Sequence, residues 1–384
     1  MPCAVVDLDA LERNAKLMLA RVVAPATLRL ATKSLRVPAL MRHLASTDGR
    51  IRGLMTFSAR ETAFLAERGF DDFVLAYPVA QMDEARLLVE LGRRGFTVRI
   101  VVDSAAHLDL LAAARGRGAL GGLSICLDVD VAWRLLDGKV HLGVRRSPVR
   151  SADEALVLAE RARRLELPVT AVMAYEAQVA GLRDDNPTSR HLDPLRRLVR
   201  ARGKSIATQR RRAVVDALRS AGVRVEVVNG GGTGSLDSTS GDGTVTEVTA
   251  GSGFYAPHLF DGYRGLALAP AAFFLIPIVR FPDPGWVTAA GGGLVASGAM
   301  GADRLPIVHL PRGLEPTEAE GFGEVQTPLK VRKEAPRLEL GDPVVCRHAK
   351  AGELMERFDT VIFVRGDEVV GHDKTYRGEG AAFG

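Results

Sequence analysis

The chain has 384 residues and a formal net charge of +5, with 47% hydrophobic and 25% charged residues. This composition excludes a disordered chain, because it supplies enough apolar material for a packed core. The longest apolar run, Leu266 to Val279, contains two prolines and is shorter than the roughly 20 residues that a membrane span needs. Asp7, Asp9 and Glu12 stand where a signal peptide would be basic and then apolar. We therefore expect a cytoplasmic protein with no membrane partner.

Cysteine and arginine usage narrows the function further. The three cysteines, Cys3, Cys126 and Cys346, show no CxxC spacing, which indicates reduced thiols. Arginine is densest from Arg196 to Arg212. This segment has two possible interpretations, a nucleic-acid-binding surface or the solvent-exposed face of a helix. We favour the helix face, because no aromatic residues interleave with the charges, and we expect no nucleic-acid partner.

An alternation of strand-like and helix-like segments dominates the chain. A predicted strand, Ala4 to Asp7, and a predicted helix, Leu8 to Leu19, come first, and the strand is free to pair with a distant sheet. Eight predicted strands then follow: Leu28–Thr32, Ile51–Thr56, Asp72–Ala76, Thr97–Val102, Ser124–Asp130, Val169–Ala174, Arg224–Val228 and Val245–Thr249. Predicted helices between them include Arg60–Arg68, Met82–Gly92, Ala105–Arg115, Ala152–Leu165 and Ile206–Ala221.

Eight alternating units of this length predict a closed (β/α)₈ TIM barrel. An open Rossmann sheet is the main alternative, but the G-x-G-x-x-G motif after the first strand is missing. The polar stretch from Gly181 to Lys204 is predicted to be an insertion at the barrel mouth.

After Gly253 the alternation of strands and helices gives way to short β-like segments, which predicts a C-terminal all-β domain. Short β-like segments separated by glycine and proline turns are Phe273–Phe281, Trp286–Ala290, Leu294–Ser297, Pro306–Leu310, Asp342–Cys346 and Thr360–Val364. We place the barrel at residues 20–260 and the β-rich domain at residues 1–19 plus 261–384.

Lys33 follows the first predicted barrel strand directly. A lysine there can simply bend out to water. It can also be a partly desolvated amine that forms a Schiff base with a carbonyl compound. The other strand ends bear on this choice, because barrel chemistry sits at the carboxyl ends of strands. They carry Ser58, Tyr77, Asp103, Arg146, Tyr175, Glu176, Asn229 and the pair Gly251 and Ser252.

Two glycine-containing loops favour a phosphate ligand. N-G-G-G-T-G-S, Asn229 to Ser235, follows the seventh strand, and G-S-G, Gly251 to Gly253, follows the eighth. Glycines let backbone N–H groups approach an anion closely, and phosphate sites in barrels are often built after strands seven and eight. Each loop alone could be a plain glycine turn. Together with the amine of Lys33, they point to pyridoxal 5′-phosphate (PLP).

These motifs resemble a known family. A-T-K-S after strand one, G-V-R-R-S-P after strand five, M-A-Y-E after strand six and N-G-G-G-T-G-S after strand seven, with a trailing β domain, are similar to the fold-type III PLP enzymes. The chain most resembles the D-threonine aldolase and D-serine dehydratase branch of the alanine racemase N-terminal domain superfamily.

The resemblance implies roles for particular residues. Lys33 would carry PLP, Arg146 and Tyr175 would contact its ring, and the phosphate would be held by Gly231, Gly232, Thr233, Gly251 and Ser252. It also implies an amino-acid substrate and a head-to-tail homodimer in which one β domain closes the partner's site.

One departure from the family concerns a metal. The metal-dependent members carry a histidine and, two residues later, a cysteine or aspartate, whereas this chain has His348 followed by Lys350. A protonated ammonium cannot bind a cation. A reversed pair of Cys346 and His348 is conceivable, but we favour loss of the divalent metal. Our hypothesis is that the charge of Lys350 replaces the ion and that His348 acts as acid or base.

The predicted activity is therefore a PLP-dependent lyase acting on β-hydroxy D-amino acids, by retro-aldol cleavage or by dehydration and deamination. An amino-acid racemase is an alternative, with Tyr376 from the partner's β domain as a second base. A non-catalytic PLP-binding protein is another. The sequence does not distinguish the substrate side chain or the stereospecificity.

Overall fold

The computed structural model describes residues 1–136, 139–181, 190–263, 265–299 and 301–383. Strands are numbered in chain order: β1 (Cys3–Asp7), β2 (Thr27–Ala31), β3 (Ile51–Thr56), β4 (Phe73–Leu75), β5 (Val98–Val102), β6 (Leu123–Asp128), β7 (Trp133–Leu135), β8 (Val140–Leu142), β9 (Val169–Ala174), β10 (Val227–Gly230), β11 (Glu247–Ala250), β12 (Ala272–Arg280), β13 (Trp286–Ala290), β14 (Ile307–Leu310), β15 (Leu314–Pro316), β16 (Gln326–Val331), β17 (Pro343–Arg347), β18 (Thr360–Arg365) and β19 (Glu368–Lys374). The α-helices are α1 (Leu8–Ala20), α2 (Pro38–Thr47), α3 (Ala59–Glu67), α4 (Met82–Arg93), α5 (Ala105–Arg115), α6 (Ala152–Arg164), α7 (Ala177–Ala180), α8 (Asp193–Ser220), α9 (Leu236–Ser240) and α10 (Ser252–Tyr255).

Eight parallel strands close into a barrel in the order β10, β11, β2, β3, β4, β5, β6 and β9. Pairing of β11 with β2 brings together the last and first strands of the barrel, with Ala250 opposite Leu30. Serine side chains cap several of the helices: Ser58, Ser104 and Ser151 each accept a backbone N–H from three residues further on. The predicted (β/α)₈ barrel is confirmed.

A buried ion network fills part of the barrel interior. Arg29 on β2 donates from Nε and Nη2 to the carboxylate of Glu247 at 2.7 and 2.8 Å, and it also pairs with Asp72 at 3.1 Å. Glu247 in turn accepts a hydrogen bond of 2.7 Å from Asn229 Nδ2. Because a buried charge is tolerated only when it is paired, this network fixes Asn229, which lies in β10 just before the glycine-rich loop.

The second sheet has nine strands and includes the first strand of the chain. Its main path is β15, β16, β13, β12, β1, β18 and β19, with β17 beside β12 and β14 beside β17. β1 pairs antiparallel with β12 and parallel with β18, as expected of a strand that precedes the barrel. The predicted C-terminal sheet domain is confirmed.

Several local predictions differ from the structure. Residues 182–189 of the predicted insertion lie outside the described residues, and its part from 193 to 204 belongs to the long helix α8. Leu294–Ser297 is not a strand, because Leu294 N–H bonds to Gly292 O at 2.7 Å and the chain turns. Strands β15, β16 and β19 and the hairpin β7–β8 were not predicted.

The arginine-rich helix α8 is only partly a solvated face. Arg211 is buried and pairs with Glu176 and Asp242, and Arg210 donates to the backbone oxygen of Asp130 at 2.6 Å. Among the described residues, none of the helices combines the length and the apolar character needed to span a lipid bilayer.

Candidate active site at the barrel mouth

A cavity of about 410 Å³ opens at the carboxyl ends of the barrel strands. Its size suits one small cofactor with a substrate. Nine of the ten predicted site residues line it: Lys33, Arg146, Tyr175, Gly231, Gly232, Thr233, Gly251, Ser252 and Lys350. The tenth, His348, does not. The fold thus brings together residues that are more than 300 positions apart in the chain.

Lys33 sits on a single 3-10 turn, Thr32 to Ser34, that directly follows β2. The hydroxyl of Thr32 anchors this turn to the neighbouring strand by donating to Met55 O at 2.9 Å. Lys33 Nζ donates to Tyr77 Oη at 3.0 Å. Lys33 is exposed to solvent, and among the described residues no acidic side chain forms an ion pair with it.

The two glycine loops and the Lys33 turn are tied to one another. Gly253 N–H donates to Thr233 Oγ1 at 3.1 Å, which joins the loops after β10 and β11. The hydroxyls of Ser34 and Ser252 lie 3.2 Å apart, which joins the second loop to the Lys33 turn. Three adjacent strands, β10, β11 and β2, therefore present one continuous rim to the cavity.

Glycine is required at specific points of this rim. A Cβ on Gly251 would lie 2.6 Å from Ser34 Cβ and 2.7 Å from Ala31 O, so the loop packs against the Lys33 turn only without a side chain. Gly231 has a φ of +80°, which disfavours any other residue. This cradle, with hydroxyls from Thr233 and Ser252 lining it, fits the phosphate of PLP.

A buried carboxylate, Glu176, holds the glycine-rich loop from behind. It accepts hydrogen bonds from Gly231 N at 3.3 Å, from Ser235 Oγ at 3.1 Å and from Thr239 Oγ1. Arg211 of α8 neutralises it at 2.9 Å. Because all these groups are buried, the position of the cradle depends on one ion pair that the sequence analysis did not predict.

Two tyrosines and an arginine form the wall beside Lys33. The Arg146 guanidinium lies 5.6 Å from the ring centres of both Tyr77 and Tyr175. Burial, followed by the charge of Glu176, raises the pKa of Tyr175 above its ordinary value. The pKa of Tyr77 moves the other way. Burial would raise it, but Lys33, the hydrogen bond from Lys33, Arg146 and Lys350 together lower it.

Another wall of the cavity comes from the β domain, whose Gly352 packs against the backbone of the Lys33 turn. Lys350 follows β17, and its Nζ donates to Ser297 Oγ at 2.7 Å and lies 3.6 Å from Glu353 Oε1. Glu353 also accepts from the N–H of Ser297 at 2.8 Å. Lys350 is thereby held on the cavity wall, with its side chain 45% exposed.

His348 is buried behind this wall and does not reach the cavity. Its ring packs edge-on against Tyr255, with a centre distance of 6.4 Å. Burial, followed by the charge of Arg347, lowers the pKa of His348 to about 3. This position does not support the predicted role as an acid or base in contact with substrate.

Few side chains near His348 could bind a metal ion. Cys346 is buried on β17, and burial raises the pKa of its thiol to about 12, which disfavours the thiolate that a metal needs. Within the part of the chain that the structure describes, no three His, Cys, Asp or Glu side chains are grouped so that they could hold an ion. Loss of the metal stays a prediction.

Tyr376 cannot serve a partner's active site in this arrangement. Its side chain is fully buried in its own chain, and its hydroxyl donates to Glu61 Oε1 at 2.8 Å. The prediction of Tyr376 as a racemase base is therefore wrong.

Four residues of the site received no role from the sequence: Tyr77, Glu176, Ser297 and Glu353. Tyr77 and Glu176 were noted among the residues that follow barrel strands, but no task was predicted for either. Ser297 is 53 positions from Lys350, and only the tertiary fold brings the two together. Glu353 is three residues after Lys350, at the start of a short 3-10 helix.

Comparison with known proteins agrees with this geometry. The profile described as "Alanine racemase, N-terminal domain" matches residues 6–257. The 3-hydroxy-D-aspartate aldolase of Paracoccus denitrificans (strain Pd 1222) is 27% identical over 252 residues, which are 65% of this chain and 59% of that protein. The D-threonine aldolase of Arthrobacter sp is 26% identical over 290 residues, 74% of this chain and 69% of that protein. The match to the Paracoccus relative thus spans less than two thirds of that protein.

Solved structures share the fold over the whole chain. The D-threonine aldolase from Filomicrobium marinum superposes with a TM-score of 0.78 at 20% identity, covering 100% of this chain and 96% of that one. The D-threo-3-hydroxyaspartate dehydratase from Delftia sp. HT23 gives 0.73 at 20% identity, covering 98% and 97%. Since the racemase-domain profile matches well over half of the sequence, the chain belongs to the alanine racemase N-terminal domain family.

Proposed function

We propose that this protein is a PLP-dependent lyase acting on β-hydroxy D-amino acids, by D-threonine aldolase-like retro-aldol cleavage or D-serine dehydratase-like deamination. The names of its relatives, aldolases and dehydratases of such substrates, support the reaction class. One structural observation carries the proposal. Lys33 and both glycine loops line a single cavity, so one cofactor can bridge the amine and the phosphate cradle.

Each part of the cavity has a proposed task. Lys33 is the amine that holds the cofactor, and Gly231, Gly232, Thr233, Gly251 and Ser252 bind its phosphate. Arg146 and Tyr175 flank its ring. When bound, PLP supplies an electron sink for the bond that breaks at the substrate Cα.

Lys350 is proposed to act on the substrate in place of a metal. Its ammonium lines the same cavity as Lys33, where it can donate to the β-hydroxyl or to a substrate carboxylate. Ser297 and Glu353 orient it. His348 is proposed to have a structural role behind this wall, where its ring packs against Tyr255.

The test is spectroscopic first and chemical second. The purified protein should show the visible absorption of a lysine-bound PLP, and Lys33→Ala should abolish it. Incubation with D-threonine, D-serine and 3-hydroxy-D-aspartate should then release aldehyde, or ammonia and an oxoacid. A colourless protein that takes up no PLP would overturn the proposal. Inversion of D-alanine without cleavage would favour the racemase, and cofactor uptake without turnover of any substrate would favour a PLP-binding protein.

Further properties stay proposals of the same kind. We propose residues 20–260 as the barrel domain and 1–19 plus 261–384 as the β-rich domain, supported by the place of β1 in the nine-stranded sheet. A homodimer and a cytoplasmic location remain predictions from the family resemblance and from the sequence.

A further inference from the structure

Tyr77 contacts the nitrogen atom on which the proposed function depends. It follows β4, and its Oη lies 3.0 Å from Lys33 Nζ. Among the described residues, this hydroxyl is the hydrogen-bond partner of Nζ, and both side chains line the cavity. A general base must lie within hydrogen-bond reach of the proton that it removes, and Tyr77 meets this condition.

The charges around Tyr77 favour its phenolate. Lys33 Nζ and the Arg146 guanidinium each lie 5.6 Å from its ring centre, on elements that follow β2 and β8. Lys350, from the β domain, adds a third positive charge near Tyr77. Tyr175, which follows β9, is a further ionisable group that faces Tyr77. These cations outweigh burial and lower the pKa of Tyr77. Tyr175, which has Glu176 beside it, has its pKa raised instead.

A base held beside Lys33 speeds its reaction by taking a proton from it. The amine is a nucleophile only after the ammonium loses its proton. Within the described residues, no carboxylate pairs with Lys33, and the side chain placed to take that proton is Tyr77.

We propose that Tyr77 is the acid–base catalyst that serves Lys33, removing a proton from its ammonium and later returning it. The inference rests on the proposed function, because it takes Lys33 as the cofactor-binding nucleophile. In the forward step one N–H bond of Lys33 breaks and its electron pair stays on Nζ. An O–H bond forms at Tyr77 Oη. Two charged groups become two neutral ones, and the reverse step restores the ammonium when the amine is released.

The test measures covalent attachment of the cofactor, independently of turnover. The full-length protein is freed of cofactor and mixed with saturating PLP. Samples are reduced with borohydride at intervals, and the labelled Lys33 peptide is quantified by mass spectrometry. Tyr77→Phe should slow attachment by about a hundredfold, as expected for loss of a general base. Tyr255→Phe is the matched control, because it removes a buried hydroxyl that supports the same turn through Leu35 O without touching Lys33.

Ultraviolet titration of the phenolate provides the second measurement. The transition at lowest pH should disappear in Tyr77→Phe, persist in Tyr255→Phe and move to higher pH in Lys33→Met. Equal attachment rates in Tyr77→Phe and the wild type, or a low-pH transition that survives in Tyr77→Phe, would overturn the role of Tyr77 alone. Absence of any label on Lys33 in the wild type would instead overturn the proposed function.

Discussion

The two sides of the cavity are built in different ways. On the barrel side, three adjacent strands end in a rim of backbone, which is joined by hydrogen bonds between Thr233 and Gly253 and between Ser34 and Ser252. On the β-domain side, one side chain, Lys350, is held by two others, Ser297 and Glu353. The first construction depends on glycines and on a buried ion pair. The second depends on a few polar side chains at a solvent-facing edge.

This difference teaches where variation is tolerated. A backbone cradle cannot change without moving the strands that carry it, whereas a wall of side chains can be rebuilt one residue at a time. The departure from the family pattern at Lys350 lies on that second side. We therefore expect changes on the barrel side to lower stability and cofactor retention together, and changes at Lys350 to affect turnover alone.

Removal of Glu176 should produce the largest loss of stability. Glu176→Ala leaves the buried guanidinium of Arg211 with one fewer carboxylate and frees the N–H of Gly231. Breaking a buried pair in this way costs about 3–5 kcal/mol. Urea unfolding measures the loss, and PLP content after dialysis should fall with it. Glu160→Ala, which breaks exposed pairs with Arg163 and Arg164, is the control and should change neither quantity. Equal stability of the two variants would contradict a structural role for this ion pair.

Replacement of Lys350 should separate turnover from stability. Lys350→Ala removes the proposed substitute for the metal, and loss of one such donor typically lowers kcat by about 10²–10³-fold. Unfolding in urea should be unchanged, because the side chain is 45% exposed. Lys350→Arg keeps a charge and should retain part of the activity.

The control for Lys350 is Lys330→Ala on β16, outside the cavity, which should leave turnover unchanged. Metal content is measured on the same samples. Stoichiometric zinc in the native protein, or full activity of Lys350→Ala, would contradict replacement of a metal by this charge.

A methyl group on Gly251 tests the backbone construction directly. In Gly251→Ala, the added Cβ would meet Ser34 Cβ and Ala31 O at less than 3 Å. Overpacking of this severity costs about 3 kcal/mol and should also weaken PLP binding by pushing the loop away from the Lys33 turn. Gly49→Ala, where nothing lies within 4 Å of the added atom, is the control. Unchanged cofactor retention in Gly251→Ala would show that the close packing of the two segments is not needed.

The same contrast explains what the sequence could predict. All eight barrel strands were predicted, because alternation of apolar runs and helical periods is a local signal. Lys33 and both glycine loops line one cavity because residues that follow strands converge in this fold. The N-terminal strand was correctly assigned to a distant sheet.

The features of the site that the sequence did not predict depend on contacts between distant segments. Lys350 and Ser297 are 53 positions apart, and no periodicity links them. His348 was expected in the cavity because of its motif, but β17 pairs with β12 and the residue after it turns inward against Tyr255. The arginine-rich segment was predicted to be a solvated helix face, yet Arg211 lies inside the fold because a buried carboxylate faces it.

The smallest expected effect concerns His348 and the pH dependence of stability. Its pKa in the folded protein is about 3, against an ordinary value of 6.5, because burial disfavours the charged ring. Below pH 6.5 the His348 ring therefore binds a proton in the unfolded chain but not in the folded chain. Stability is lost as the pH falls from about 6.5 towards 3. Between pH 7 and pH 5 this loss amounts to about 2 kcal/mol.

His348→Leu should remove that contribution. Glu61 and Asp128, whose pKa values are raised to about 7 mainly by burial, act in the opposite sense, so the prediction concerns the difference between variant and wild type. Urea unfolding at pH 7 and pH 5 should show a loss on acidification that is about 2 kcal/mol smaller in His348→Leu. Leu354→Ala, a buried change in the same β-rich part of the chain without a titratable group, should lower stability equally at both pH values. If His348→Leu lost as much stability as the wild type, the ring would have to accept a proton in the folded state. The His348 ring could then act as an acid behind the cavity wall that carries Lys350.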